Sequence, residues 1–168
     1  MKAIFLDIDG VLNTERYIVE AIEGDMPIRD KYGHIFDYKC IDVLRYIIKE
    51  SDAKIIISST WRYAGIREMQ NMWKDRRLPG EVYDLTYSRD SSKISEQKKV
   101  YEEIYGDHFE NRTRGKEIDI YLRTHPEIDK YVILDDDCDM LDNQNFVKIE
   151  AYNGLEEKNI EDILKFLK

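Results

Sequence analysis

The chain has 168 residues, 42% of them apolar and 36% charged, with 26 Lys and Arg against 35 Asp and Glu and a net charge of −9. That length suits one domain with its own core, and the 11% aromatic content is not that of a disordered segment. The acidic balance argues against broad electrostatic binding of nucleic acid and leaves room only for a local basic patch. No apolar run approaches the roughly 18 residues of a membrane span, so no membrane partner is expected. The opening MKAIFLDIDG is too short an apolar run for a secretory leader. Cys40 and Cys138 lack CxxC neighbours, which fits a reducing, cytoplasmic setting.

In chain order, residues 2–8 read as a buried strand: Ala3, Ile4, Phe5 and Leu6 form an apolar run ended by Asp7-Ile8-Asp9-Gly10. Cys40, Val43, Leu44, Ile47 and Ile48 recur at helical spacing, so 38–50 is an amphipathic helix with Asp37 as its N-cap. Residues 54–58 (KIIIS) are a second buried strand. Ile66, Met69 and Trp73 mark a helix that must end before Pro79-Gly80, and 81–86 is a third strand. Arg114-Gly115-Lys116 stands ahead of a short helix carrying Ile118, Tyr121 and Leu122, closed by His125-Pro126. Residues 130–134 (KYVIL) form a strand running into Asp135-Asp136-Asp137. A fifth strand covers 146–149, and Ile160, Ile163, Leu164 and Leu167 stripe a last helix. No repeat, low-complexity tract or linker divides the chain, so residues 1–168 read as a single domain.

Strands that are wholly apolar need cover on both faces. With helices between them, they predict an α/β fold: a three-layer, Rossmann-like parallel sheet with helices on both sides. Ligands of such sheets sit at the carboxyl ends of the strands. Three ends therefore matter: Asp7-Ile8-Asp9, Ser58-Ser59-Thr60 and Asp135-Asp136. Asp9-Gly10 also suits a hairpin turn, but Asn13-Thr14-Glu15-Arg16 offers no return strand. A calcium loop starting at Asp135 fails, with Met140 at the turn-glycine position and Phe146 at the bidentate-glutamate position.

If the acidic strand ends are neighbours, their carboxylates repel by about 4 kcal/mol per pair at 4 Å and an effective dielectric of 20. Such a cluster requires a cation or bound protons. Oxygen ligands favour Mg²⁺ over Zn²⁺, and His34, His108 and His125 are scattered without metal-ligand spacing. Ser58, Ser59 and Thr60 suit a helix N-cap, which is also a ready phosphate site. Arg114 and Lys116 supply positive charge. Carboxylates, hydroxyl and cation together describe a phosphoryl-transfer site.

The order Asp7-Ile8-Asp9-Gly10-Val11-Leu12, then Ile55-Ile56-Ile57-Ser58, then Arg114-Gly115, then Leu134-Asp135-Asp136 resembles the four motifs of the haloacid dehalogenase (HAD) superfamily across nearly the whole chain. Gly154-Leu155 before the last helix fits as well. Ser-Ser-Thr-Trp-Arg and Arg-Gly-x-Glu-Ile are similar to small phosphatase-like members, some of them assigned to RNA repair. The resemblance implies a Mg²⁺-dependent phosphatase in which Asp7 is the nucleophile, forming an aspartyl-phosphate that water hydrolyses. It implies that Asp9 is the general acid and base, its backbone carbonyl a metal ligand, and that Asp136 ligates the metal with Asp135 beside it. Ser58 would bind a phosphoryl oxygen and Arg114 would neutralise phosphate and nucleophile. The superfamily usually has Lys where Arg114 stands, so Lys116 shares that candidacy, as Ser59 shares that of Ser58. Asp137 and Asp139 remain alternatives for the metal's outer shell.

Dehalogenases of the superfamily lack the second Asp of the first motif, so Asp9 points to phosphate chemistry. Inserts that cover the site in this superfamily correspond here to 13–37 and 89–113, both short, so the cap is small or absent and the site partly open. Substrates expected for it are a nucleotide, a sugar phosphate or a nucleic-acid end, and no obligate protein partner is implied. Trp61 with Arg62, Arg67, Arg112 and Arg114 offers a rim for single-stranded nucleic acid. The competing reading packs Trp61 beneath a helix and leaves the arginines solvated. Phosphomutase chemistry is disfavoured because small inserts exclude water poorly. The alternative of another class is an inactive module that binds phosphate or metal on the same scaffold; intact Asp7, Asp9, Ser58 and Asp136 argue against it.

Overall fold

The computed structural model describes residues 1–88 and 93–168. Strand β1 (Lys2–Leu6) is followed by α1 (Glu15–Glu23), a hairpin of β2 (Arg29–Asp30) and β3 (Gly33–His34), α2 (Tyr38–Ser51) and β4 (Lys54–Ile57). A 3-10 turn over Thr60–Ala64 leads into α3 (Ile66–Asp75), β5 (Val82–Leu85), α4 (Ile94–Tyr105), α5 (Arg114–Thr124), β6 (Lys130–Asp135), β7 (Phe146–Lys148) and α6 (Ile160–Leu167). The five longer strands form one parallel sheet in the order β5-β4-β1-β6-β7.

The apolar strand sequences explain the layering. Leu6 pairs with Ile57 on one side and Leu134 on the other. Because side chains alternate across a strand, Ile4, Leu6, Ile55, Ile57, Val132 and Leu134 enter one core with α2, α3 and α6. Ala3, Phe5, Ile56 and Ile133 enter a second core beneath Ile118 and Tyr121 of α5. Each such side chain contributes about 1.5–3 kcal/mol on full burial, and both faces must be covered to collect it. Tyr101 of α4, Phe109 and Ile120 form a third cluster on the outer side of α5. These aromatics of the second insert belong to the core.

The connection leaving β1 leads towards β4 and that leaving β6 leads to β7, so a crevice opens between the carboxyl ends of the two central strands. Both expected acidic strand ends flank that crevice.

Several boundaries differ from the sequence expectation. β1 ends at Leu6 rather than Ile8, although the Asp7 N–H still reaches Leu134 O at 2.9 Å. Arg114-Gly115-Lys116 opens α5 instead of preceding it: Thr113 caps the helix, and the Asp139 carboxylate accepts the Arg114 N–H at 2.8 Å. The first insert holds α1, a nine-residue helix that buries only Ala21. α4 occupies much of the second insert; residues 89–92, where that insert begins, lie outside the described residues.

Gly115 sets how closely α5 approaches the segment after β6. A Cβ there would meet Met140 Cα at 2.7 Å and Asp139 O and Leu141 N at 2.8 Å, all backbone atoms that cannot swing aside. Alanine favours a helix over glycine by about 1 kcal/mol, yet overpacking costs about 1–3 kcal/mol. Gly115→Ala is therefore expected to lower the thermal midpoint, read by circular dichroism, where propensity alone would raise it.

Candidate active site

Asp7 directly follows β1, and Asp135 closes β6, the neighbouring strand. The backbone bond from Asp7 N to Leu134 O holds the two ends level, and Asp136 is the next residue. One oxygen from each of Asp7, Asp135 and Asp136 lies within 4.8 Å of the others; Asp7 and Asp135 are buried and Asp136 is half-buried. Gly10 makes this proximity possible. It sits at φ +73°, and a Cβ would come within 2.5 Å of Asp136 Oδ2.

Arg114 answers part of the charge. From the first turn of α5 its Nη1 donates to Asp7 Oδ1 and to Asp135 Oδ2, both at 3.2 Å. Asp135 Oδ1 accepts the Asp137 N–H at 2.9 Å. One guanidinium does not neutralise three carboxylates. Burial raises the pKa of Asp7 despite Arg114, and burial with the neighbouring Asp7 pushes Asp135 up to about 6. Asp136 is raised for the same two reasons. The Arg114 pKa is itself raised, because the pull of Asp7 and Asp135 outweighs its desolvation. Hard oxygen donors with residual negative charge fit a divalent cation such as Mg²⁺, and Asp7, Asp135 and Asp136 are the residues that would hold it.

Asp9 stands apart from this trio and is exposed. Its Oδ1 accepts Asn13 Nδ2 at 2.6 Å, and Trp61 Nε1 donates to Oδ1 and Oδ2 at 3.0 and 3.1 Å. At the end of β4 the two serines divide. Ser58 is fully buried, its N–H bonded to Leu6 O at 3.0 Å and its Oγ without a hydrogen-bond partner among the described residues. Ser59 caps the following turn by accepting the Trp61 N–H at 3.4 Å, and its hydroxyl also hydrogen-bonds Asp7, a smaller influence that burial of that carboxyl outweighs. Lys116 is not drawn into the cluster; its Nζ lies 4.9 Å from the centre of the Tyr105 ring. Asp137 is exposed, and Asp139 serves the end of α5.

Behind the site lies a buried network that the sequence did not announce. Arg62, expected in solvent, is 6% exposed, and Glu117 is 3% exposed. Glu117 accepts Arg62 Nη2 at 3.1 Å, Arg112 Nε at 2.7 Å and the Thr86 hydroxyl. Arg62 also donates through Nη1 to the Ser58 carbonyl. No local spacing announced it, since Arg62 and Glu117 stand 55 residues apart and Thr86 and Glu117 stand 31 apart. Trp61 packs against Phe36, ring centres 5.5 Å apart, while turning its indole N–H to Asp9, so the two sequence readings of this residue both missed its polar end.

The raised carboxyl groups carry a pH signature. They favour the protonated form in the fold, so their contribution to stability is present below the unfolded value of 3.8 and is lost as pH rises through the folded values, about 6 for Asp135. Without divalent ions the thermal midpoint should fall between pH 5 and 7.5, and Asp135→Asn should flatten that fall. Mg²⁺ should raise the midpoint more at pH 7.5 than at pH 5, read by scanning fluorimetry with EDTA as control.

No helix among the described residues is long and apolar enough to cross a membrane. Comparison with curated proteins and with solved structures returned no significant match. A family model describing the HAD domain in Swiss Army Knife RNA repair proteins matches residues 3–160, nearly the whole chain, and spans β1, β4, α5 and β6 together with every residue of the acidic crevice. The chain belongs to this family of HAD domains.

Proposed function

We propose that the chain is a Mg²⁺-dependent phosphomonoesterase that works through Asp7 and removes a terminal phosphate from a nucleic-acid end. The observation that carries this reading is the buried Asp7–Asp135–Asp136 cluster at the carboxyl ends of the two central strands, with Arg114 bonded across two of its members. The RNA-repair description of the family supports the substrate class. So does the access to the crevice, since Asp9 is exposed and the first insert, 13–37, adds only one helix and a two-residue-stranded hairpin.

An Asp7 carboxylate oxygen attacks phosphorus while the ester P–O bond breaks, and the leaving oxygen takes the proton of Asp9. A water then attacks the aspartyl-phosphate, Asp9 accepts its proton, and the Asp7–phosphorus bond breaks to release phosphate. Arg114 holds Asp7 in place and faces the negative charge that the phosphoryl group brings. The buried Ser58 hydroxyl, unpartnered among the described residues, is the donor for a phosphoryl oxygen. A bound Mg²⁺ supplies positive charge to the phosphoryl oxygens and to the carboxylate cluster. Lys116, engaged with Tyr105, leaves the cationic role to Arg114.

The test is phosphate release from p-nitrophenyl phosphate and from a panel of 3′- and 5′-phosphorylated oligonucleotides, nucleotides and sugar phosphates. Wild type should turn over only with Mg²⁺, fastest on an oligonucleotide end, and Asp7→Asn should lose about 10³-fold or more in kcat while keeping its fold. Equal turnover by both proteins removes Asp7 from the mechanism. Mg²⁺-dependent stabilisation of wild type without release from any substrate would favour a binding module.

A further inference from the structure

The two tryptophans spend their indole N–H groups differently. Trp73 Nε1 donates to the backbone carbonyl of Pro79 at 2.8 Å, an internal bond of the α3–β5 connection. Trp61 Nε1 instead reaches both carboxylate oxygens of Asp9, at 3.0 and 3.1 Å, at the open side of the crevice. We infer that Trp61 is a positioning residue for the proton transfers of Asp9, an inference that rests on the phosphatase reading above.

The geometry divides the two oxygens of Asp9. Oδ1 takes Asn13 Nδ2 at 2.6 Å as well as the indole, whereas Oδ2 takes only the longer arm of the shared indole bond. Oδ2, the less engaged oxygen, is therefore the one suited to carry the exchangeable proton, giving it to the leaving oxygen and taking it back from water. Without the indole, a single amide would leave the carboxyl free to turn about its Cβ–Cγ bond. Indole also suits the place chemically, being a neutral donor with no acceptor of its own. An arginine would add charge beside the carboxylate cluster, and a histidine would titrate near neutral pH.

The indole is held rigidly enough for this task. Gly33 of the β2–β3 hairpin leaves so little room that a Cβ would meet Trp61 Cη2 at 3.2 Å. Phe36 packs on one edge, and the Arg76 guanidinium lies 5.8 Å from the indole ring centre. Arg76 is itself locked to Asp30 of β2 by two bonds, Nε to Oδ2 at 2.9 Å and Nη2 to Oδ1 at 2.6 Å. The short hairpin thus clamps the residue that orients the acid, a role distinct from covering the substrate.

The test exploits the leaving group. Expulsion of an alkoxide needs proton donation, whereas p-nitrophenolate departs with little help. Trp61→Phe, and an isosteric replacement of Trp61 by benzothienylalanine that exchanges only the N–H for sulfur, should each lower kcat/KM, which reads the steps up to phosphorylation of Asp7, about ten-fold more on the best alkyl phosphate of the panel than on p-nitrophenyl phosphate. Equal losses on the two substrates by the isosteric variant, or no loss, would overturn the inference while leaving the phosphatase reading standing. Failure of wild type on every phosphate would take both down. Independently of turnover, Asp9→Ala should shift the Trp61 indole N–H resonance in ¹H–¹⁵N spectra and leave that of Trp73 in place; an unmoved Trp61 signal would also overturn it.

Discussion

Three carboxylates gathered at the ends of adjacent strands repel one another, and the rest of the site is arranged around that repulsion. Two buried members, Asp7 and Asp135, share the guanidinium group of Arg114; burial raises the pKa values of all three acids, and the neighbouring Asp7 adds to it at Asp135 and Asp136. A fold held together by apolar burial on both sheet faces can carry such a locally unfavourable group because the strands beneath it are fixed by many other contacts. The arrangement is unfavourable alone, and a divalent cation held there would offset the repulsion and add to the stability of the fold.

Positioning Arg114 occupies much of the surrounding structure. The helix start that presents it is capped by Thr113 and Asp139, and Gly115 lets it settle against the backbone at Met140. One turn further on, Glu117 gathers Arg62 and Arg112 into a buried network. Burial lowers the Arg62 pKa while Glu117 pulls it back, the balance expected when a charge is kept inside by its partner. These two arginines are therefore committed to Glu117, and the cation that reaches the carboxylates is Arg114. The same network grips the Ser58 carbonyl and so ties the β4 strand end to α5.

Much of the fold was legible in the residues. Three isoleucines in a row, or Tyr-Val-Ile-Leu, admit little besides a strand buried on both faces, and the spacing of Cys40, Val43, Leu44 and Ile47 fits one face of a helix. The helix α1 was not read, although Ile18, Ala21 and Ile22 stand at helical spacing behind Thr14 as N-cap; its nine residues make a short stretch to judge. Asp7, Asp9, Ser58 and the Asp135-Asp136 pair were legible as candidates because polar residues that abruptly end apolar strands fall at the rim of such a sheet. Arg62 was read as solvated, since a sequence displays a charge without displaying the partner that makes its burial tolerable.

What the linear order of residues settled was local: which segments are strands or helices, and which polar groups stand at their ends. Periodicity and abrupt changes of polarity encode these things within a few neighbours. What required the folded chain was which ends meet. The pairing of Asp7 with Asp135 comes from β6 lying beside β1 across more than a hundred residues, and the contact of Arg114 with Asp7, while Lys116 lies over Tyr105, follows from the direction each takes off the first turn of α5. The bond between Trp61 and Asp9 likewise joins residues 52 positions apart. Contacts of this kind depend on strand order and on the pitch of a helix, physical quantities that no short stretch of sequence contains.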